Sequence, residues 1–504
     1  LNSRDDIWCE RVYAPADDME AEMRGRGIPL YGLESLEAVS GFDILGFTLQ
    51  YELSYTAVLN MLNLAGISVR ADERTSLAPI VIAGGPCACN PEPMADFIDL
   101  FVLGEGEEVL LELIGIYKLA KRQGWEKPRF LTEAARIVGV YVPSLYEVSY
   151  NNDGTIAAVT PPAKISKRIV KDLDSVFYPE SFVVPYIDIV HDRSMLEVMR
   201  GCIRGCRFCQ AGFIYRPQRE KSPSVLCKNA HDLTAATGYE EISLTSLSTS
   251  DYSGLEQLIG QLLPWTNSCG VNLSLPSLRI DNFPPELLEK LSAVRKSGLT
   301  FAPEAGTQRL RDAINKNITE EDVLNTCRAA FLGGYTSVKL YFMLGLPTET
   351  MHDVEGIAAL AQKVVDLYYS LPDKPKGKSV SVSVSAACFV PKPFTPFEFE
   401  PQDSMELFRE KQMALKNAIR SKKISYRYHD GTTSALEAML ARGDRRLGRV
   451  IEAAWERGSK LDSWGEFFSM ERWTQAIEEA GLELGFYANR KREYDETMPW
   501  SHLD

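Results

Sequence analysis

Residues 200–210 read RGCIRGCRFCQ, so the thiols of Cys202, Cys206 and Cys209 lie within eight residues of one another. Spacings of four and then three residues can turn three thiolates toward one metal group if the loop is tight. Gly201 and Gly205 give the backbone that latitude. The number three is informative. Structural zinc normally takes four protein ligands, usually from two separated CxxC-like pairs, and no second pair lies nearby. A group held by three cysteines keeps one position open, which is how catalytic metal sites differ from structural ones; a zinc knuckle is the bland alternative. The ten cysteines of the 504-residue chain are otherwise too scattered for a disulfide framework, so metal or redox chemistry in a reducing compartment is the better reading.

Other chemistry-bearing residues give weaker signals. Cys87 and Cys89, in AGGPCACNPEP (83–93), could ligate a second cluster but read better as small loop residues, and Cys9, Cys227, Cys269, Cys327 and Cys388 are isolated. The five histidines show no metal-ligand spacing. The run YRPQREK (215–221) directly after the cysteines could hold a phosphate or carboxylate or could simply start a solvated helix. ARGDRRLGR (441–449) reads more readily as a salt-bridged helix face than as an anion pocket.

The elements that must position these residues follow from the apolar pattern. The short apolar runs DILGFTL (43–49), PIVIAGG (79–85) and DLFVLG (99–104) alternate with helical stretches, YTAVLNMLNLAG (55–66) among them, as in a doubly wound parallel sheet. Residues 136–193 read as a hairpin and an extended linker. A longer alternation follows, with strands expected at 194–200, 240–247, 272–277, 299–304, 337–344 and 381–389. Six such strands suggest an incomplete βα barrel, and the cysteine loop directly follows the first of them, at the end where barrel chemistry sits. The fold class is therefore α/β: a Rossmann-like domain over 1–135, a partial (β/α)6 barrel over 194–400, and a mostly helical C-terminal extension over 401–504. No apolar run is long enough for a membrane span, and a net charge of −14 disfavours a broad nucleic-acid surface without excluding a local basic pocket. A cytoplasmic location is the default expectation, since no export signal is visible.

CxxxCxxC on a loop after the first strand of a βα barrel, with Phe208 just before the last cysteine, resembles the radical S-adenosylmethionine (SAM) superfamily. The resemblance extends through ILGFTLQYELSYTAVLN (44–60), AGGPCACNPEP, GEGEE (104–108), TSLSTSDY (245–252), SLPSLRID (274–281), FAPEAGTQRLRDAINKN (301–317), KLYFMLGLPTET (339–350) and FVPKPFTPF (389–397). It covers nearly the whole chain and points to a group of bacterial proteins whose barrel follows a cobalamin-binding-type domain. The resemblance implies that Cys202, Cys206 and Cys209 hold three irons of a [4Fe–4S] cluster while SAM chelates the fourth. Electron transfer to SAM then yields a 5′-deoxyadenosyl radical that abstracts hydrogen from a substrate.

By the same resemblance Phe208 lies beside the cluster and Ser248 lies near the SAM amino group. Ser277 and Arg279 would line its ribose and carboxylate side, Glu304 would hydrogen-bond its ribose or amine, and Gly345 with Pro347 would shape the adenine wall. At Phe394 the group's usual histidine is missing, so no role is carried over there. The implied partners are an electron donor such as flavodoxin or ferredoxin and an unidentified substrate, with direct nucleic-acid binding left open. The first domain resembles a cobalamin-binding domain that begins after its first strand, and no Asp-x-His-x-x-Gly loop is present. Cobalamin is therefore expected less than its absence. The alternatives to a SAM-cleaving enzyme are a cobalamin-dependent radical methyltransferase and a noncatalytic iron–sulfur or RNA-binding module.

Overall fold

A computed structural model describes residues 1–275, 299–374 and 377–504. The chain divides into two compact units, one built from residues 1–170 and 435–504, the other from residues 171–434.

In the first unit the expected parallel strands form as β1 (Ile44–Thr48), β2 (Ile80–Gly84) and β3 (Leu100–Val102), and β4 (Val140–Tyr141) adds an antiparallel edge in the order β1-β2-β3-β4. Ile80, Ile82, Leu100 and Val102 pack with Val109, Leu113 and Tyr117 of the helix Gly106–Gln123. This is the strand-helix alternation read from the sequence. The hairpin over 136–193 forms as β5 (Glu147–Tyr150) against β6 (Ile156–Thr160).

The C-terminal segment belongs to this same unit. Helices Leu447–Glu456 and Met470–Glu479 pack together, and the first of them packs on the helix Tyr55–Leu64. Polar ties reinforce the packing: Arg445 pairs with the buried Glu92, Lys460 with the buried Glu20, and Asn90 donates to the carbonyls of Ala441 and Gly443. ARGDRRLGR is thus a structural salt-bridged segment, as its pattern suggested.

In the second unit all six expected strands are present. The first is split into β7 (Ser194–Glu197) and β8 (Met199–Arg200), the latter pairing with β9 (Arg219–Glu220). β10 (Glu241–Thr245) lies between β7 and β11 (Asn272–Ser274), and all three are parallel. A second parallel sheet runs β12 (Leu299–Glu304), β13 (Ser337–Leu344), β14 (Ser381–Cys388) and β15 (Ile424–Tyr428). Among the described residues the two sheets do not close into a continuous barrel. Residues 401–504 carry five helices, and β15 is a strand that the reading of them as mostly helical did not include. ISYRY is β-prone and adds a seventh parallel strand, and the expected extension is divided between the two units.

The core of the second sheet is one-sided. Val338, Leu340, Phe342 and Leu344 alternate with outward residues and bury against Val354, Ile357, Ala361 and Val364 of the helix Met351–Ser370. Each large aliphatic side chain buried there contributes about 1.5–3 kcal/mol, so this seam outweighs any single cap at about 1 kcal/mol. The buried Asp353 ties the seam to the loop after β12, accepting from Thr307, Arg309 and the Thr350 N–H. Burial pushes its carboxyl up, but those hydrogen bonds outweigh burial and take it down to about 2. A depressed carboxylate contributes stability that is present above its unfolded value, near 3.9, and is lost as pH falls through its folded value. Asp353→Asn is expected to cost roughly 1.5–3 kcal/mol in urea denaturation at pH 7. The gap to wild type is expected to close as pH falls from about 4 toward about 2; a gap that stays constant over that range would show that the charge is not what matters.

Candidate functional site

The cysteine loop leaves β8 through Gly201, whose φ of 81° lies in the left-handed region. A Cβ there would stand 2.7 Å from the Tyr215 carbonyl oxygen and 2.9 Å from that of Pro217, so the returning chain leaves room for glycine alone. From Cys202 the loop turns tightly: the Arg204 N–H approaches the Cys202 Sγ at 3.5 Å, the Cys209 N–H donates to the Cys206 carbonyl, and the Gly212 N–H donates to that of Cys209.

Four other segments hold the loop. The Arg204 guanidinium forms a two-pronged ion pair with Asp251, at 2.8 and 2.5 Å, in the segment after β10. Asn315 donates to the Gly205 carbonyl at 2.8 Å, and the Arg207 N–H donates to the Ile314 carbonyl. Arg216 returns to the Arg204 carbonyl, and Gln210 reaches the Pro393 carbonyl. The run YRPQREK thereby acts in part as a brace, through Arg216.

All three cysteines are free thiols; Cys206 is buried, and Cys202 and Cys209 are half-buried. Burial pushes the Cys209 thiol up, the neighbouring Cys206 and Cys202 push the same way, and the Gly212 N–H and Lys316 act against them. A metal binding to these thiols would displace protons from them. Among the described residues no three His, Cys, Asp or Glu side chains are gathered as the ligands of a single metal ion. A multinuclear cluster does not require three sulfurs to meet at one ion, because each thiolate takes its own iron. Three soft thiols on a braced loop fit such a cluster.

The other expected residues divide into groups. Phe208 packs with the apolar cluster of Ala305, Leu346, Phe389 and Phe397, and its ring lies 5.9 Å from Lys316 Nζ. Lys316 pairs at 2.9 Å with Glu304, which ends β12 at a register shift with φ of 69°. Ser248 is buried and donates to Asp251, the partner of Arg204. Phe208, Ser248 and Glu304 are thus joined to the cysteine loop or to its immediate supports.

Gly345 and Pro347 lie beside a different feature, a cavity of about 360 Å³ lined also by Glu349, Asp403 and Lys411 and by none of the three cysteines. Only Leu346 between them reaches the apolar cluster beside Phe208. At Gly345, φ is 83° and a Cβ would stand 2.6 Å from the Phe408 ring, so its backbone needs glycine for packing. Ser277 and Arg279 lie outside the described residues. Asp251, Asn315 and Lys316 were not singled out from sequence. All three lie within stretches that carry the resemblance, but only the distance of Asp251 to Arg204 shows that the pair braces the loop.

Residues 1–143 match the family model for radical SAM proteins, N-terminal, and residues 196–361 match that for the radical SAM superfamily. The chain carries both domains and belongs to the radical SAM superfamily, whose enzymes use SAM and a [4Fe–4S] cluster. It is similar to an uncharacterised protein of Methanocaldococcus jannaschii, with 28% identity over 488 residues, 94% of each chain. It is also similar to the anaerobic magnesium-protoporphyrin IX monomethyl ester cyclase of Cereibacter sphaeroides, with 23% identity over 332 residues, 62% of this chain and 46% of the cyclase. Among solved structures, the radical SAM methyltransferase TsrM of Kitasatospora setae, with cobalamin and a [4Fe–4S] cluster bound, aligns over 92% of this chain and 91% of its own at TM-score 0.54 and 13% identity. That last likeness is one of fold.

The braced loop makes Gly201 the sensitive point. Gly201→Ala is expected to lose most of the iron retained after anaerobic reconstitution, because a left-handed non-glycine residue costs about 1–2 kcal/mol before any clash. Asp251→Asn is expected to lose less. Iron and sulfide per chain, with the cluster absorbance, measure both; full loading of the Gly201→Ala variant would show that the loop needs no such fit.

Proposed function

We propose that Cys202, Cys206 and Cys209 hold a [4Fe–4S] cluster and that the protein is a radical SAM enzyme acting on an unidentified substrate. The observation that supports this best is the set of three free thiols on a loop braced at the end of the first parallel strand. Bound there, the cluster supplies the single electron that splits SAM into methionine and a 5′-deoxyadenosyl radical. The chain's own residues do the rest. Phe208 and its apolar neighbours keep water from one side of the site, and in this reading Ser248 and Glu304 hold polar groups of SAM. In this reading Gly345 and Pro347 serve the adenine wall and Ser277 and Arg279 the ribose and carboxylate side. A flavodoxin or ferredoxin supplies the electron.

Cobalamin is the second reading, and the fold likeness to TsrM favours it. The earlier expectation against cobalamin is not supported: a missing histidine loop argues only against one way of holding cobalt. Residues 1–170 contain no histidine, and the unit's His502 is buried against Tyr141 and Tyr146. A corrinoid here would be held without a histidine ligand from residues 1–170. The enzyme relatives favour catalysis over a noncatalytic iron–sulfur or RNA-binding module.

Anaerobically reconstituted protein given dithionite and SAM is expected to form 5′-deoxyadenosine, and the Cys202→Ala, Cys206→Ala and Cys209→Ala variants to form none. Product formation by the variants, or its absence from a wild type loaded with about four irons, would overturn the main reading. Incubation of the same protein with hydroxocobalamin, followed by desalting and an absorbance spectrum, decides the second.

A further inference from the structure

Parallel sheets with crossover helices normally bury both faces and read as continuous apolar runs. The second sheet of residues 171–434 departs from this. In β13 and β14 the sequences SVKLYFML and SVSVSAAC alternate, so every second residue turns away from the helix-packed core that holds Val338, Leu340, Val382 and Val384. β15 continues the pattern, with Ile424 and Tyr426 on the core side and Ser425 and Arg427 on the other.

The register sets those outward residues in rows, the last of them the apolar pair Met343 and Ala387 at the C-terminal ends of β13 and β14. Lys339, Ser383 and Ser425 lie side by side, and Tyr341, Ser385 and Arg427 form the next row toward the C-terminal strand ends. Ser383 and Ser425 hydrogen-bond at 3.0 Å, and Lys339 Nζ donates to the Tyr341 hydroxyl at 2.7 Å. Neither Lys339 nor Arg427 forms an ion pair among the described residues, and neither row contains a carboxylate. Glu304, at the end of β12, is already paired with Lys316. In a chain of net charge −14, two cations without an ion pair among the described residues, set among hydroxyls on the face of a parallel sheet turned from its helices, are a specific arrangement. Guanidinium, ammonium and hydroxyl donors together match an oxyanion, and ligands of such folds sit toward the C-terminal strand ends.

We propose that this face is the substrate-anchoring surface and that the substrate is a small molecule bearing a carboxylate or phosphate, held by Lys339 and Arg427 with Tyr341 and Ser385 as hydroxyl donors. This assignment rests on the radical SAM reading, which supplies the reaction for which the substrate is held. It places the anion below the strand ends, so that the rest of the molecule extends toward the segments carrying Glu304 and the cysteine loop.

The test is calorimetric titration of the full-length reconstituted protein, at low ionic strength, with inorganic phosphate in one arm and succinate in the other. Wild type is expected to bind one of the two, more weakly as salt is added, and the arm that binds identifies the group. Lys339→Gln/Arg427→Gln is expected to weaken that binding about tenfold or more, whereas Arg427→Lys retains most of it. Circular dichroism and thermal melting of the double variant confirm that it folds. Binding of neither anion by wild type, or equal binding by a folded double variant, would overturn the proposal. Formation of 5′-deoxyadenosine by the same wild-type preparation is read separately: its absence with anion binding intact would remove the substrate assignment and identify the radical SAM reading as what failed.

Discussion

Three thiols in eight residues can serve one multinuclear group only if the short loop between them cannot relax, and the second unit is arranged to prevent that relaxation. The Arg204–Asp251 pair joins the cysteine loop to the segment after β10, and Asn315 joins it to the segment after β12. Gln210 adds a tie to the proline-rich segment beyond β14. The ion pair is only partly exposed, with Asp251 almost fully buried, so solvent screens it less than it would a surface pair. Parallel strands make this bracing feasible because each ends on the same side, delivering its following segment to a common place.

The same geometry divides the chemical tasks of the second unit. Helix-facing positions of β13 and β14 are apolar and supply the folding energy. Their alternate positions carry Lys339, Tyr341 and the serines, and at the end of β13 Met343, which packs in the apolar cluster with Phe208. At the strand ends the backbone leaves regular β geometry, with Glu304 in a left-handed conformation that turns its carboxylate toward Lys316. Departures of this kind at strand ends are where catalytic chemistry is commonly found on such folds.

The first unit is held by a different device. Its sheet is small, and the C-terminal segment completes it by pairing Arg445 with the buried Glu92 and Tyr141, beside the buried His502. The half-buried arginine has its guanidinium met by a carboxylate, a phenol and the Tyr146 carbonyl. Residues far apart in sequence thus make one folding unit, which explains why a boundary drawn along the chain at 401 does not coincide with a unit of the structure.

The sequence by itself determined the local chemistry. Cysteine spacing needs no tertiary information, and neither do the buried strands, since apolar runs of strand length between turn residues reflect short-range physics. Six barrel strands, the three sheet strands of the first unit and the hairpin were all legible in this way. β15 was not, because ISYRY sits between helical stretches and only pairing with β14 makes it a strand. Nor were the roles of Asp251, Asn315 and Lys316: each partner lies more than ten residues away along the chain, and no local pattern encodes such an encounter. Only the tertiary structure decided that Gly345 and Pro347 border a cavity without a cluster cysteine, that residues 435–504 fold with residues 1–170, and that Lys339, Tyr341, Ser383, Ser385, Ser425 and Arg427 share one face. Those outcomes depend on which surfaces meet after the chain has folded, and that is settled by packing among distant segments.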